Sequence, residues 1–513
     1  MISSHLLKSL RRILKILLVY PSYPDTFWSF RYALKFISKK ASFPPLGLLT
    51  VAALLPEDWE KRLLDMNVEE LRDEDILWAD YVFVSAMEVQ RSSAVGVIRR
   101  AKDLGRKVVA GGPLFTLSPE EFPEVDHIVL REAEEVLPLL IEDIKRGKAK
   151  RIYASSRWPD MASSPLPAWD LLKMEEYAAM CVQYCRGCPF DCEFCDIALL
   201  NGRKPRTKAT EQVLRELDGL YERGWRGTVF FVDDNFIGKP RKLKEELLPA
   251  LIEWMRRRRY PFSFLTEASV NLAEDEELMR LMVRAGFDSV FVGIESPEEE
   301  SLSECNKVQN KGKNLLEAVK RMQRVGLQVL GGFIVGFDSD PPTIFQKQLD
   351  FIQQSGIVTA MVGMLNAPKG TRLYERLQQQ GRLLGETTGD NTDFSINFVP
   401  KMGYWKLVEG YKQVVTRLYS PPAFYRRLAT FLKSYCPPKW RGYPLQLNYI
   451  KALFRSIWVL GIKEKERFYY WRTLFWTLLR RPRLFSLCVG LSIYGYHFRK
   501  VFEGYSTERE KVS

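Results

Sequence analysis

The stretch Tyr184-Cys185-Arg186-Gly187-Cys188-Pro189-Phe190-Asp191-Cys192-Glu193-Phe194-Cys195-Asp196 decides how the rest of the chain is interpreted. Within it Cys188, Cys192 and Cys195 have C-x3-C-x2-C spacing, a compact set of three thiolates. Thiolates are the ligands of iron-sulfur clusters, and three of them can hold three irons of a four-iron cluster. Structural zinc takes four ligands, usually as two well-separated pairs, and the sequence offers neither a second, well-separated pair of cysteines nor a histidine pair. The spacing therefore predicts a cluster with one open iron.

The same spacing, with an aromatic residue directly before the last cysteine, resembles the signature of the radical S-adenosylmethionine enzymes. In that family the open iron binds S-adenosylmethionine, and an electron from the cluster cleaves it to a 5′-deoxyadenosyl radical. The resemblance implies that Cys188, Cys192 and Cys195 ligate a 4Fe-4S cluster and that Phe194 lies beside the adenine. It also implies an external electron donor, such as a flavodoxin or a ferredoxin.

The composition is that of a globular protein with an uneven charge. The 513 residues are 46% hydrophobic and 27% charged, which allows two or three domains. The net charge is +13, but residues 401–513 alone hold 22 Lys and Arg against six Glu and no Asp, a net charge of +16. Cys181 and Cys185 are interpreted as structural thiols. Because no secretory signal is recognisable, the cysteines indicate a reducing cytoplasm.

The N-terminal part alternates short apolar runs with helix-like stretches. Continuous apolar runs are typical of buried parallel strands, and here they cover residues 13–20, 62–66, 81–85, 107–110 and 127–130. This alternation predicts a Rossmann-like, doubly wound α/β domain over residues 1–150, with its ligand at the carboxyl ends of the strands. No G-x-G-x-x-G follows the first run, so a dinucleotide site is disfavoured.

Residues at three of these strand ends resemble the cobalamin-binding domain that often precedes a radical S-adenosylmethionine domain. Asp65 and Ser85 match the pattern D-x-H-x-x-G then S-x-L, and Gly111 with Gly112 matches its glycine pair. Asn67 stands where the pattern has the histidine that ligates cobalt from below. The resemblance therefore implies cobalamin bound by these five residues without a protein imidazole beneath it. A Rossmann-like sheet without a cofactor is the alternative.

A second α/β region follows the cysteine motif. Residues 151–180 contain Pro159, Pro165 and Pro167 and are interpreted as a linker. Beyond them the alternation predicts a partial (β/α) barrel over residues 181–400, in which the chemistry gathers at the carboxyl ends of the strands. The strand candidates are residues 228–232, 262–266, 289–292, 329–335 and 359–365.

Acidic residues stand at the ends of three of these strand candidates. In radical S-adenosylmethionine enzymes such strand ends bind the methionyl amine and the ribose. The resemblance implies that Asp233 or Asp234 lies near the methionyl amine, and that Glu267 and Glu295 lie near the ribose. Each acid taken alone could instead cap the helix that follows it.

Residues 401–513 differ in composition from the rest and are predicted to form a mostly helical domain. Of these 113 residues 25 are Phe, Trp or Tyr, about twice the fraction in the whole chain. The apolar run 484–496 is shorter than the roughly 20 residues that span a bilayer. Basic and aromatic residues together suit peripheral contact with the inner face of a membrane, which is favoured over nucleic acid. The plainest interpretation, to which the composition gives the most weight, is an ordinary helical cap over the barrel mouth, with its aromatic residues in the core and its charges in solvent.

The two implied cofactors together predict a methyltransferase that acts on an unactivated carbon. By the resemblance, the deoxyadenosyl radical removes hydrogen from the substrate and methylcobalamin delivers the methyl group. The whole-chain layout resembles the group that includes the hopanoid C-2 methylase, which implies a small-molecule or lipid substrate of polycyclic or isoprenoid type. One alternative is a cyclase or rearranging enzyme that uses both cofactors without methyl transfer. The other is an iron-sulfur protein that binds RNA through its basic tail.

Overall fold

The computed structural model describes residues 13–438 and 447–510. The chain divides into two units. Of the described residues, the first unit comprises 13–23, 45–159 and 163–172, and the second comprises 24–44, 160–162 and the chain from 173 onward. In the first 172 residues the strands are β1 (Lys15–Tyr20), β2 (Glu60–Asp65), β3 (Tyr81–Ser85), β4 (Lys107–Gly111), β5 (His127–Val129) and β6 (Ile152–Tyr153). The helices are α1 (Arg31–Ile37), α2 (Leu46–Leu54), α3 (Asp73–Trp78), α4 (Arg91–Asp103), α5 (Pro113–Leu117) and α6 (Ala133–Lys145).

The first unit is a doubly wound parallel sheet with strand order β2-β1-β3-β4-β5-β6. Its central strands are apolar throughout because helices cover both faces. In β1, Leu17 and Val19 pack in the cluster that includes α4, while Ile16 and Leu18 pack in the cluster that includes α2 and α6. The predicted N-terminal α/β fold is confirmed. The strand β6 lies inside the stretch interpreted as a linker and pairs with β5.

The second unit contains the predicted partial barrel. Its strands are β7 (Ala179–Val182), β8 (Cys185–Arg186), β9 (Arg206–Thr207), β10 (Thr228–Phe231), β11 (Ser263–Glu267), β12 (Phe287–Glu295), β13 (Gln328–Val335) and β14 (Ala360–Met364). The helices are α7 (Ile197–Leu200), α8 (Thr210–Glu222), α9 (Pro240–Lys242), α10 (Leu248–Arg257), α11 (Glu276–Ala285), α12 (Glu299–Glu304), α13 (Leu315–Val325), α14 (Ile344–Ser355) and α15 (Arg372–Gln379). Six strands form a parallel sheet in the order β14-β13-β12-β11-β10-β7, and β8 pairs with β9 as an antiparallel hairpin.

The strand β7 is absent from the sequence-based prediction. Its four residues, Ala-Met-Cys-Val, contain one β-branched residue and follow a proline-containing stretch, so they carry little strand signal. Pairing with β10, with Ala179 beside Thr228, makes them a buried edge of the sheet. Strand formation at this position is therefore decided by tertiary contact.

Local capping defines the helices between the barrel strands. The Asp275 carboxylate accepts a hydrogen bond from the backbone N–H of Leu278 at 2.9 Å at the start of α11. The same helix ends at Gly286, whose φ of +109° suits glycine. At α13, Asn314 caps the start and Gly326, with φ of +116°, follows the end. These caps orient each following strand toward the sheet.

The C-terminal part is helical, as predicted. Its helices are α16 (Tyr404–Leu418), α17 (Pro421–Ser434), α18 (Leu447–Trp458), α19 (Arg467–Arg480) and α20 (Phe485–Glu510), and a π-helical turn (Val459–Lys463) follows α18. The apolar run 484–496 lies largely in α20. Among the described residues, no helix combines the length and hydropathy needed to cross a bilayer.

Residues 24–44 belong to the second unit although they come early in the sequence. The Phe27 ring stacks on Phe498 of α20 with centroids 4.0 Å apart. Nε2 of His497 lies 3.0 Å from the Phe27 carbonyl oxygen, and burial lowers the pKa of His497 to about 4. Arg455 of α18 donates to the carbonyl oxygen of Lys35 at 2.7 Å. The early segment and the last helices are therefore packed together.

Candidate functional site

The three motif cysteines lie on the loop between β8 and α7. The backbone N–H of Gly187, which precedes the loop, donates to the Asp234 carboxylate at 2.7 Å. Gly187 has φ of +92°, and a side chain there would lie 2.8 Å from the carbonyl oxygen of Gly202. Glycine is therefore required at this position, and it directs the chain toward Cys188.

The thiols of the motif are partly accessible and affect one another. Burial raises the pKa of Cys188 and of Cys195, and in both cases the nearby Cys192 raises it further. Binding of a metal cluster favours the deprotonated thiolates and so offsets the free-energy cost of ionising these thiols. Within residues 13–438 and 447–510, no group of three or more His, Cys, Asp or Glu side chains is arranged to hold a single metal ion. The donor set, three thiols on one short loop, fits an iron-sulfur cluster.

A second loop, residues 305–310, lies alongside the cysteine loop. The backbone N–H of Glu193 donates to the carbonyl oxygen of Cys305 at 2.9 Å. Asn306 donates to the Asp191 carbonyl oxygen at 2.9 Å, and Gln309 Nε2 lies 3.6 Å from the sulfur of Cys192. The second loop therefore fixes the middle of the cysteine motif.

Helix α15 holds the same loop from another side. Arg376 binds the Glu193 carboxylate through two nitrogens, at 2.7 and 2.9 Å, which is the bidentate geometry of strong ion pairs. Arg376 also contacts Asp338 at 3.2 Å, and Asp338 pairs with Arg382 at 2.6 Å. Burial alone would raise the pKa of Asp338, but these cations hold it below its usual range. Sequence reasoning missed this network because its members are far apart in the chain.

The two adjacent acids after β10 have separate partners. Asp233 is buried, and its carboxylate accepts a hydrogen bond from the backbone N–H of Tyr184 at 2.8 Å. Burial raises the pKa of Asp233 to about 8. Asp234 accepts from Gly187 and, at 3.0 Å, from the amide of Asn201. Both acids therefore accept hydrogen bonds from the backbone that leads into the cysteine loop. Asp234 binds Gly187, the residue directly before the first motif cysteine.

The acids that end β11 and β12 differ in their partners. Glu267 is half-buried and has no hydrogen-bond partner within the described part of the chain, and burial, together with Asp234, raises its pKa to about 7. Glu295 is buried, has φ of +61°, and pairs with the ammonium of Lys307 at 2.6 Å. Glu267 is thus available to a ligand, while Glu295 is already neutralised.

Lys307 is a site residue that the sequence reasoning missed. Its side chain is 11% exposed. Burial lowers its pKa, but Glu295, Cys192 and Cys195 reverse this effect and raise the pKa above the ordinary value. A side chain at Gly293 would collide with the Glu295 carboxylate and lie 2.8 Å from the Lys307 nitrogen. Nothing in the local sequence singles out Lys307, because its position beside the cysteines depends on the fold.

Phe194, which the sequence analysis places beside the adenine, packs near Phe337. Their ring centroids are 6.3 Å apart with tilted planes, and Phe194 is half-buried. Phe337 follows β13, so Phe194 lies near the carboxyl end of a barrel strand.

One face of the barrel sheet is lined by partly accessible apolar side chains, four of them aromatic, which we name the aromatic wall. Its members are Trp28, Phe43, Phe230, Phe291 and Met361. The Trp28 indole donates to the sulfur of Met361 at 2.9 Å and meets the Phe291 ring edge-on at 5.4 Å. Phe43 contacts Phe230 at 5.2 Å. Phe291 is in register with Glu267 on the neighbouring strand, so the wall lies beside the free carboxylate.

The five predicted cobalamin residues all lie at the carboxyl edge of the first sheet. Asp65 accepts hydrogen bonds from the backbone and side-chain nitrogens of Asn67, at 2.8 and 2.7 Å. The Asn67 oxygen accepts from the backbone N–H of Tyr23 at 3.0 Å. The side chain of Asn67 therefore ties the end of β2 to the chain after β1, next to the β1–β3 boundary where the strand order reverses and doubly wound sheets bind ligands.

The second glycine of the pair is required by a close approach between strands. Gly112 has φ of +93°, and a side chain there would lie 2.8 Å from the Ser85 hydroxyl and 3.1 Å from the Ala86 carbonyl oxygen. At Gly111 the nearest atom would be the Val129 carbonyl oxygen at 3.4 Å, an ordinary contact. Gly112 thus allows the chain after β4 to approach the end of β3 closely.

Three family profiles match the chain, and relatives match nearly its full length. A B12 binding domain covers residues 37–141, the Radical SAM superfamily covers 182–352, and a domain of unknown function, DUF4070, covers 371–511. An uncharacterised methyltransferase of Synechocystis sp. is 42% identical over 94% of this chain and 91% of its own length. The hopanoid C-2 methylase of Rhodopseudomonas palustris is 35% identical over 91% and 90%.

Solved structures agree with the fold. The cobalamin-dependent S-adenosylmethionine radical enzyme OxsB, with aqua-cobalamin bound, has a TM-score of 0.63 at 14% identity and covers 98% of this chain and 81% of that one. The methyltransferase TsrM of Kitasatospora setae, with cobalamin and a 4Fe-4S cluster bound, has a TM-score of 0.56 at 16% identity over 72% and 78%. The predicted cofactors, a 4Fe-4S cluster, S-adenosylmethionine and cobalamin, are confirmed. The chain belongs to the cobalamin-dependent radical S-adenosylmethionine methyltransferases.

Proposed function

We propose that the methyl acceptor is a polycyclic or isoprenoid lipid, methylated at a carbon without an activating group. The observation that carries this proposal is the aromatic wall. Its five side chains are partly accessible, carry no charge, and lie beside Glu267 on the sheet. Such a surface suits a hydrocarbon skeleton, since pockets for apolar ligands are lined by apolar and aromatic side chains. The hopanoid C-2 methylase, a relative over nearly the whole chain, bears a name of this substrate class.

For the radical site we propose that Cys188, Cys192 and Cys195 ligate the cluster and that Phe194 contacts the adenine. When bound, the cluster and S-adenosylmethionine supply the radical that removes hydrogen, and cobalamin supplies the methyl group. Lys307 adds a positive charge beside the thiolates and lowers the cost of burying them.

For the polar part of S-adenosylmethionine we propose roles for three acids. Glu267 has a carboxylate without a protein partner, so it can accept hydrogen bonds from the ribose hydroxyls. Glu295 contributes to the same region while paired with Lys307. Of the adjacent pair, Asp234 is assigned to the methionyl amine, because Asp233 is buried against the backbone of Tyr184.

For cobalamin we propose binding at the edge formed by Asp65, Asn67, Ser85, Gly111 and Gly112. Gly112 allows the chain after β4 to pack closely against Ser85 and Ala86 at this edge. The Asn67 side chain is hydrogen bonded to Asp65 and to the backbone after β1. We therefore expect Asn67 to provide no ligand to the cobalt of the bound cobalamin.

We also propose a flavodoxin or ferredoxin as electron donor, and a cytoplasmic location with peripheral contact between residues 401–513 and the inner face of the membrane. The high basic charge of this region supports the contact. Nucleic acid is disfavoured as a partner.

The proposal is tested by anaerobic reconstitution with iron, sulfide and cobalamin, followed by reaction with methyl-labelled S-adenosylmethionine, a hopanoid hydrocarbon and reduced flavodoxin as the electron donor. We expect labelled methyl in the lipid and release of 5′-deoxyadenosine. Cys195→Ala is the matched control and should give neither product. Deoxyadenosine with a rearranged, unmethylated product would favour the cyclase alternative. Turnover of polar substrates alone would overturn the lipid assignment.

A further inference from the structure

Helices α18 and α19 expose large apolar side chains to an extent unusual for a globular surface. Phe454 is 66% exposed, Phe468 is 68% exposed and Leu479 is 80% exposed. A face defined here as the apolar face comprises Tyr449, Ile450, Phe454, Trp458, Ile462, Phe468, Phe475, Leu478 and Leu479. Contiguous exposed apolar surface of this kind marks an interaction site.

The spacing of these residues places them on one side of each helix. Ile450, Phe454, Trp458 and Ile462 recur every four residues along α18 and its π-helical turn, and residues four apart are neighbours on a helix surface. In α19 the positions between exposed residues are buried, as Leu474 shows beside Phe475. Both helices therefore present large apolar side chains to solvent, while residues such as Ser456 and Thr473 on their other side are buried within the second unit.

The exposed sides of the two helices meet at the π-helical turn. The Trp471 indole of α19 donates to the carbonyl oxygen of Gly461 at 2.9 Å, directly before Ile462. The same indole stacks on Phe475 with centroids 5.4 Å apart. The apolar residues of the turn and of α19 are thus linked by direct contacts.

A basic groove lies between α17 and α19. It has a volume of about 400 Å³, and Arg426, Lys433, Arg472 and Tyr469 are among its lining residues. Within the described ranges none of its three cations pairs with a carboxylate, and no acidic residue lines the groove. Arg481 donates to the Lys433 carbonyl oxygen at 2.9 Å, which ties the ends of the two helices together. The groove is therefore lined by three exposed cations with no acidic residue among its lining residues.

We propose that α17, α18 and α19 form the membrane-docking surface of this enzyme, with an anionic phospholipid bilayer as the occupant. The apolar face enters the interface between headgroups and acyl chains, and the basic groove takes a lipid phosphate. Basic residues beside Trp, Phe and Leu are the composition of interfacial helices. Nucleic acid fits less well, because Ile450, Ile462, Leu478 and Leu479 cannot stack on bases. The inference deepens the proposed peripheral contact and is independent of the methyl acceptor.

The test is cosedimentation of the full chain, loaded with its iron-sulfur cluster and cobalamin, with lipid vesicles. The vesicles consist of phosphatidylcholine alone or of phosphatidylcholine mixed with phosphatidylglycerol. No hopanoid and no S-adenosylmethionine are present, so the outcome does not depend on methyl transfer. We expect binding to the mixed vesicles at about 0.1 M salt and weaker binding at about 1 M salt, where charge is screened. Equal recovery with and without vesicles would overturn the proposal.

Two sets of variants separate the apolar and the charged contributions. Phe454→Ser with Trp458→Ser removes part of the apolar face, and Arg426→Gln with Arg472→Gln removes two groove cations. Each pair of substitutions should weaken vesicle binding about tenfold or more. The reason is that a basic residue near an anionic membrane contributes roughly 1 kcal/mol to the binding free energy, and a buried aromatic side chain contributes more. Trp405→Ser is the matched control, because Trp405 is 77% exposed on α16, outside the apolar face. Unchanged binding in both pairs, with cofactor absorbance intact, would overturn the assignment.

Two further outcomes would reassign the surface. A labelled RNA that binds more tightly than the vesicles and is released by Arg426→Gln with Arg472→Gln would identify a nucleic-acid surface. A dimer in sedimentation velocity that dissociates in Phe454→Ser with Trp458→Ser, without vesicle binding, would identify a second copy of the chain as the occupant.

Discussion

At the scale of single residues, Glu267 differs from the other acids at the site because its carboxylate has no partner among the residues that the structure describes. Asp233, Asp234 and Glu295 are each hydrogen bonded or paired within the protein. An acid with a raised pKa becomes protonated as the pH falls through that value, and a protonated carboxyl is a poorer acceptor of hydrogen bonds. The pKa of Glu267, about 7, therefore makes ligand binding there sensitive to pH near neutrality.

This leads to a prediction on the affinity for S-adenosylmethionine. In the wild-type chain the affinity should rise as the pH increases through about 7, because the charged form of Glu267 accepts the ribose hydrogen bonds. Glu267→Gln should weaken binding at pH above the pKa by about tenfold, the equivalent of one hydrogen bond to a charged group, and remove that pH dependence. Equilibrium dialysis of the cluster-loaded protein measures both. The exposed Glu277→Gln is the control, and equal affinities for Glu267→Gln and wild type would exclude the ribose contact.

At the scale of elements, helix α15 is the support of the cysteine loop. Its Arg376 forms a bidentate ion pair with Glu193, which stands between the second and third motif cysteines. The Arg376 side chain is 28% exposed, so the pair is better shielded than a surface salt bridge. The helix lies within the region matched by DUF4070, so that region contributes directly to the support of the cysteine loop.

We predict that Arg376→Ala loosens the cluster without removing its ligands. Glu193 would keep its charge without a partner, at a cost of about 1–3 kcal/mol. Cluster loss to an iron chelator should accelerate by about tenfold, and the reduced cluster should show a broadened electron paramagnetic resonance spectrum. The rate of cluster loss in Arg376→Lys should lie between the rates of the wild type and of Arg376→Ala, since Lys keeps the charge but cannot bind the carboxylate bidentately. Arg324→Ala, which breaks an exposed ion pair with Glu317, is the control. Wild-type kinetics in Arg376→Ala would contradict the support role.

At the scale of the whole second unit, residues 24–44 supply part of the barrel's aromatic surface. Trp28 contacts Met361 and Phe291 on the sheet, while Phe27, next to it, packs on α20. The segment therefore connects the sheet that carries the aromatic wall with the C-terminal helices. Removing it would expose apolar surface on both sides.

We predict that Trp28→Ala uncouples radical formation from methyl transfer. The cluster site should stay intact, so 5′-deoxyadenosine should still form, while methylated lipid per deoxyadenosine should fall by about tenfold as an aromatic contact with the substrate is lost. Trp28→Phe should recover part of the ratio. Trp254→Phe, on α10 and stacked against Phe262, is the matched control. Parallel loss of both products in Trp28→Ala would indicate a structural defect and refute the substrate contact.

The sequence by itself determined the fold class, an N-terminal α/β sheet followed by an α/β barrel, and, through the family resemblance, the cofactors. Apolar runs such as Lys15–Tyr20 and Gln328–Val335 have the local signature of buried parallel strands, and the three motif cysteines lie within eight residues of one another. Each of these signals is short range, because it depends on periodicity or spacing along a single segment. The strand ends with Asp65, Ser85 and Glu267 were found for the same reason.

Only the tertiary structure decided which side chains surround those strand ends. Lys307 beside the cysteines, Arg376 on Glu193 and Trp28 on Met361 join segments separated by up to 333 residues, and no local pattern encodes such contacts. The distinct partners of Asp233 and Asp234 likewise depend on where the backbone of Tyr184 and Gly187 passes. Pairing, burial and charge compensation are properties of the folded chain, since they arise when distant groups are brought within hydrogen-bond distance.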